Sequence, residues 1–93
     1  MLIDAENVRR SRWPNVPLRD LQRLAEEWGV RNGADVEVVL EPADDRIAAR
    51  AAELARAGTP YWLVTSDRGL RARAAASAER VIGGGSFVRE LTE

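Results

Sequence analysis

Ninety-three residues with a net charge of −1 make up one small domain's worth of chain, short enough that a modest share of surface is buried on folding. Cysteine and histidine are both absent, which excludes a disulfide framework, a thiolate or imidazole metal site and a histidine general base. All 14 basic residues are arginine, so lysine Schiff-base and P-loop chemistry are excluded too, and the charge balance lacks the strong basic bias of a dedicated nucleic-acid binder.

In chain order, "MLIDA" reads as a short buried strand ending in an acid. "RRSRWPNV" is polar, with Pro14 and Asn15 as turn signals, and reads as a loop. "PLRDLQRLAEEWGV" sets Leu18, Leu21, Leu24, Ala25 and Trp28 at helical spacing, with Pro17 at the first helical position and Gly29 as the stop. After the turn "NGAD", the valine-rich "VEVVLE" is a second strand. "PADDRIAARAAELARAG" is a helix with Ile47, Ala51 and Leu54 on its apolar face, ended by Gly58 and Pro60. "YWLVTS" is a third strand, "DRGLRARAAASA" a short helix, "RVIGGG" a fourth strand, and "SFVRELTE" a terminal helical turn with Ser86 as its N-cap.

Strands alternating with helices predict one α/β domain over residues 1–93, a short parallel sheet with helices on both faces. Such sheets bind ligands beyond the carboxyl ends of their strands, at the point where strand order reverses. With four strands in the order 2-1-3-4, that point lies between strands one and three, and Asp4, Asp44, Asp45 and Asp67 face one crevice. Asp44 and Asp45 also suit a helix start, and Asp67 suits a cap. Asp4 is different: no helix is read at the next residue, and a buried charge without a partner is costly. Asn7 either closes a turn or helps to hold a ligand. Glu6 is assigned to the solvated rim.

Several carboxylates at one site repel each other unless a cation lies between them. Oxygen-only ligation with retained waters suits Mg²⁺ or Mn²⁺, and such an ion supports hydrolysis of a phosphodiester. Arg9, Arg10, Arg12 and Trp13 form a basic loop with one aromatic. Arg46, Arg68 and Arg71 lie near the same strand ends, able to offset the acids or to contact phosphates. Arginines on phosphates and an aromatic on a base would suit single-stranded nucleic acid, although Trp13 is expected to pack onto the domain.

Three strings carry a family resemblance: "LIDAENV", "ADDRI" and "VTSDRGL". The first resembles the Asp-x-x-Asn signature of the NYN branch of the PIN-like nucleases. The second is similar to the acidic helix start of that branch, and the third to the strand-three signature of its YacP-like subgroup. The resemblance implies a Rossmann-like three-layer α/β/α sandwich, bound Mg²⁺ or Mn²⁺, and endoribonuclease activity on RNA. No apolar run approaches a membrane span and no signal peptide is read, so a soluble, cytoplasmic protein without membrane association is expected, with homodimerisation left open. Carried over position by position, it implies Asp4, Asp44 and Asp67 as metal-binding catalytic acids, Asp45 as an additional ligand, Asn7 as the accompanying amide, and Thr65 and Ser66 as hydrogen-bonding support. RNA contacts would come from Arg9, Arg10, Arg12, Arg46, Arg68 and Arg71. Gly69 stands where many members carry a further acid, which points to one firm metal rather than two. The alternative is a module of the same fold that binds RNA or a protein without cleaving.

Overall fold

The computed structural model describes residues 1–93. Four three-residue strands, β1 (Leu2–Asp4), β2 (Glu37–Val39), β3 (Trp62–Val64) and β4 (Arg80–Ile82), alternate with five helices. The helices are α1 (Ala5–Arg10), α2 (Leu18–Asn32), α3 (Ala43–Arg56), α4 (Arg68–Ala74) and α5 (Gly84–Thr92). The sheet is parallel throughout, as the strand–helix alternation predicts, and its order is β2-β1-β3-β4, the expected 2-1-3-4.

The side-chain period of two sorts the central strands between two cores. Leu2 and its register partner Leu63 join Ala43, Ile47, Ala51, Tyr61, Leu70 and Ala74 under α3 and α4. Ile3 and its partner Val64 face the other way, into a core of α1, α2 and α5 that includes Leu21, Trp28 and Phe87. Trp28 meets Phe87 edge to face, with ring centroids 5.6 Å apart. Leu2, Ile3, Leu63 and Val64 are all fully buried. At ~1.5–3 kcal/mol per buried aliphatic side chain, these four residues alone rival the net stability of a small domain. The result is helices on both faces of one sheet.

Several boundaries differ from the sequence expectation. A helix does begin directly after Asp4: α1 occupies residues read as strand end and loop. Only Ala5 and Val8 are buried in it, so its apolar stripe is too thin to be read. Its support is electrostatic, with Glu6 in the first turn paired to Arg9 and Arg10 three and four residues on.

Pro17 is the N-cap of α2 rather than its first residue, and the helix passes through Gly29 to end at Asn32. Gly29 is a packing site: a Cβ there would lie 2.7 Å from Val36 Cγ2 and 2.8 Å from the Ala34 carbonyl. The true stop is Gly33, left-handed at φ 63°, with the Ala34 amide donating back to the Gly29 carbonyl at 2.9 Å. Helix α5 starts at Gly84 with Gly83 as cap, three residues before the expected Ser86 cap. The Gly84 amide donates to Ser66 Oγ at 2.8 Å, and a Cβ on Gly84 would stand 3.1 Å from Ser11 and 3.3 Å from Asn7 Oδ1.

Candidate active site

Because every strand runs the same way, Asp4, Glu41, Thr65 and Gly83 all emerge at one end of the sheet. Strand order reverses between β1 and β3, and there a polar cleft of about 370 Å³ opens. Six carboxylates line it, from Asp4, Glu6, Glu41, Asp44, Asp45 and Asp67, together with Asn7 and a single arginine, Arg10.

Asp4 is the fixed point. It is only 4% exposed, and Thr65, itself fully buried, donates its hydroxyl to Asp4 Oδ2 at 3.0 Å. The Thr65 oxygen in turn accepts the Asp67 amide at 3.1 Å, so a short relay ties the end of β1 to the start of α4. Burial pushes the Asp4 carboxyl above the usual carboxylate range. The Thr65 bond and the neighbouring Asn7 amide oppose the rise, and the charges of Asp44 and Asp67 add to it. That amide favours the ionised form by proximity, without making a capping hydrogen bond.

The other acids divide by partnership. Asp67 caps α4, its Oδ1 accepting the Leu70 amide at 3.1 Å. Asp45 pairs with Arg73 at 2.9 Å. Asp44 and Asp45 sit in the first turn of α3 but do not cap it, since Pro42 is the N-cap. Glu6 is not on the solvated rim: its half-buried carboxylate is clamped by Arg9 and Arg10 at 2.9 and 3.0 Å. Asn7 does not orient Asp4 through its side chain; its Oδ1 accepts the Ser66 amide at 2.7 Å, joining α1 to the loop after β3.

The candidate arginines scatter. Arg9 and Arg10 are held by Glu6, and Arg71 Nε donates to the Thr65 carbonyl at 3.1 Å. Arg46 and Arg68 are exposed at the starts of α3 and α4. Arg12 lies in a separate groove. Trp13 does not pack onto the domain; it is 89% exposed. Glu41 was not singled out in the sequence, although the two-residue link "EP" between strand and helix leaves it nowhere else to go.

For a hard divalent ion the donor chemistry fits and the placement is incomplete. Every ligand the cleft offers is oxygen, the set Mg²⁺ and Mn²⁺ prefer. Asp4 Oδ1 has no hydrogen-bond donor, and since no buried polar side-chain atom in the chain lacks a partner, solvent reaches it. Asp67 Oδ2 and both oxygens of Asp44 are likewise without a donor. Yet no three acids stand close enough together, as placed, to hold an ion.

Compared with protein-family models, with characterised proteins and with solved structures, the chain shows no match. No helix is long and apolar enough to cross a membrane.

Proposed function

We propose that the chain is a divalent-metal-dependent endoribonuclease with a PIN-like, NYN-type fold. The observation that carries this reading is the buried Asp4, set at the reversal point of a parallel sheet and facing Asp44 and Asp67 across an acid-lined cleft. Burying a carboxylate among like charges is unfavourable, and a cation is the simplest relief. Mg²⁺ or Mn²⁺ would be held by Asp4, Asp44 and Asp67 with Asp45 in reserve, and would supply an acidified water and charge neutralisation at the scissile phosphate.

The chain's own part is placement. Thr65 locks Asp4, so the first ligand cannot turn away. Asp67 keeps one oxygen for the helix cap and offers the other. Asp44, exposed and unpaired, can swing to complete the set, and waters fill the remaining positions, as Mg²⁺ favours. Arg46 and Arg68, exposed in the first turns of α3 and α4, would be available to phosphates of the bound strand.

Incubating the purified protein with labelled single-stranded RNA tests the proposal. Cleavage is expected with Mg²⁺ or Mn²⁺ and is expected to be lost with chelator or in Asp4→Asn. If neither ion supports cleavage, the enzyme reading fails. The acids' failure to converge as placed favours a second reading, an RNA-binding module without catalysis. That module would bind RNA as well, or better, with Asp44 and Asp67 replaced by asparagine, because repulsion from phosphate falls, and calorimetric titration with Mn²⁺ would show no uptake.

A further inference from the structure

Beside the acidic cleft, across Asn7 and Ser66, runs a second groove of about 520 Å³ that contains no hydrophobic residue. One wall is Ser11 and Arg12, in the loop after α1; the other is Ser86 and Arg89, on α5. The Arg12 stem lies along the start of α5, with its Cγ 3.8 Å from where a Cβ on Gly85 would stand. All seven ion pairs of the chain are made by other residues, and neither Arg12 nor Arg89 makes a side-chain hydrogen bond. Two arginines without a side-chain partner thus line a polar groove with three serines and no acid.

Next to Arg12 in the same loop stands Trp13, 89% exposed. A tryptophan normally hides most of its ring. This one stands in water beside unpaired positive charge, the combination that binds single strands through stacked bases and neutralised phosphates.

We propose that the Arg12–Arg89 groove is a backbone-phosphate subsite for single-stranded RNA, with Trp13 as the stacking platform for an adjoining base. The assignment rests on the nuclease reading for its choice of RNA. It gives the strand a direction across the molecule, from the acidic cleft over Asn7 and Ser66 into the groove. The start of α5 forms part of the floor and contributes only a small dipole; the guanidinium groups supply the charge.

Fluorescence anisotropy of a short labelled single-stranded RNA, in chelator so that no metal-dependent cleavage occurs, tests the subsite apart from the chemistry. Each phosphate neutralised on a single strand contributes about 0.7 to the slope of log affinity against log salt. Arg12→Ala/Arg89→Ala should therefore weaken binding and flatten that slope by about 1.4. Trp13→Ala should weaken binding roughly 5- to 100-fold with the slope unchanged. Arg31→Ala, at the far end of α2, should leave binding as it is. Thermal melts of each variant confirm the fold. RNA should also quench tryptophan fluorescence in the parent chain, with the quench lost in Trp13→Ala.

An unchanged affinity and slope in the double arginine variant overturns the proposal, as does equal quenching by duplex RNA of the same sequence. Absence of RNA binding in chelator at low salt overturns it too. Binding with these dependences, but no cleavage with either metal, retains the subsite and removes only the nuclease reading.

Discussion

Replacing Thr65 with valine is the sharpest probe of how the site is held. Valine keeps the shape and removes one oxygen, which now both donates to Asp4 Oδ2 at 3.0 Å and accepts the Asp67 amide at 3.1 Å. A hydrogen bond to a charged group contributes ~1.5–3 kcal/mol, and the half-buried Asp67 amide adds up to ~1 kcal/mol once it is left to water. The extra buried methyl returns at most ~0.8 kcal/mol, leaving a net loss of roughly 1–4 kcal/mol. Thr65 is fully buried and Asp4 nearly so, so solvent cannot replace the lost donor cheaply. The loss must depend on pH. The Thr65 bond lowers the Asp4 pKa against the rise caused by burial, so removing it raises the folded value further and widens the deficit as pH rises through that value. Urea titration followed by tryptophan fluorescence should show the full penalty at pH ~8 and a smaller one below pH ~4, near the ordinary carboxylate value. In an Asp4→Asn background the penalty should shrink to that of a neutral hydrogen bond, ~0.5–1.5 kcal/mol. A penalty that is the same at both pH values and in both backgrounds would refute the claim that Thr65 acts on the Asp4 charge.

Asp4→Asn should itself stabilise the metal-free protein. Burial raises the folded pKa of Asp4 above its unfolded value, so the native state binds the proton more tightly and stability declines as pH rises through the folded value; the variant should melt higher than the parent at pH ~8 and coincide with it below pH ~4, and a lower melting temperature at pH ~8 would contradict the burial argument. Gly29→Ala, which helix propensity alone would favour by ~1 kcal/mol, should instead destabilise by ~1–3 kcal/mol, because its Cβ would meet the Ala34 carbonyl at 2.8 Å and Val36 at 2.7 Å; thermal melting followed by circular dichroism reads the sign directly.

What the sequence made legible follows from how local each cause is. The apolar pairs Leu2–Ile3 and Leu63–Val64 announce strands buried on both faces, and strand–helix alternation fixes a parallel sheet. From these, the common placement of Asp4, Asp44 and Asp67 follows without side-chain detail. Helix α1 escaped because its stabilisation is carried by Glu6 with Arg9 and Arg10, charges that read equally well as loop. Gly29 and Ser86 misled because local preference was outweighed at a distance, by Val36 in one case and by Ser66, Ser11 and Asn7 in the other. Trp13 was expected to obey the hydrophobic rule and does not. No spacing rule reports which carboxylate oxygens already have partners, so the division of labour among the acids became visible only in three dimensions.

That division rests on the arginines. Of the six carboxylates in the cleft, Glu6 is neutralised by Arg9 and Arg10, and Asp45 by Arg73. Exposed pairs such as Asp45–Arg73 contribute little stability, yet they cancel charge where it would otherwise add to the repulsion on Asp4. What remains uncompensated is Asp4, Glu41, Asp44 and Asp67. Asp4 is anchored, Asp67 is half-committed to its cap, and Asp44 and Glu41 are unattached. One rigid carboxylate facing others free to move can recruit a water-rich ion at small cost in ordering, because only exposed side chains need to turn. A preformed cage would demand that all the charges be held together in the ion's absence, at a Coulombic cost this small domain has little stability to offset. On the nuclease reading the acids would converge only on binding their ion; on the RNA-binding reading they would not converge at all. An electrophoretic or calorimetric signal of Mn²⁺ uptake that vanishes in Asp4→Asn, and weakens only partly in Asp44→Asn, would separate the anchor from the recruit.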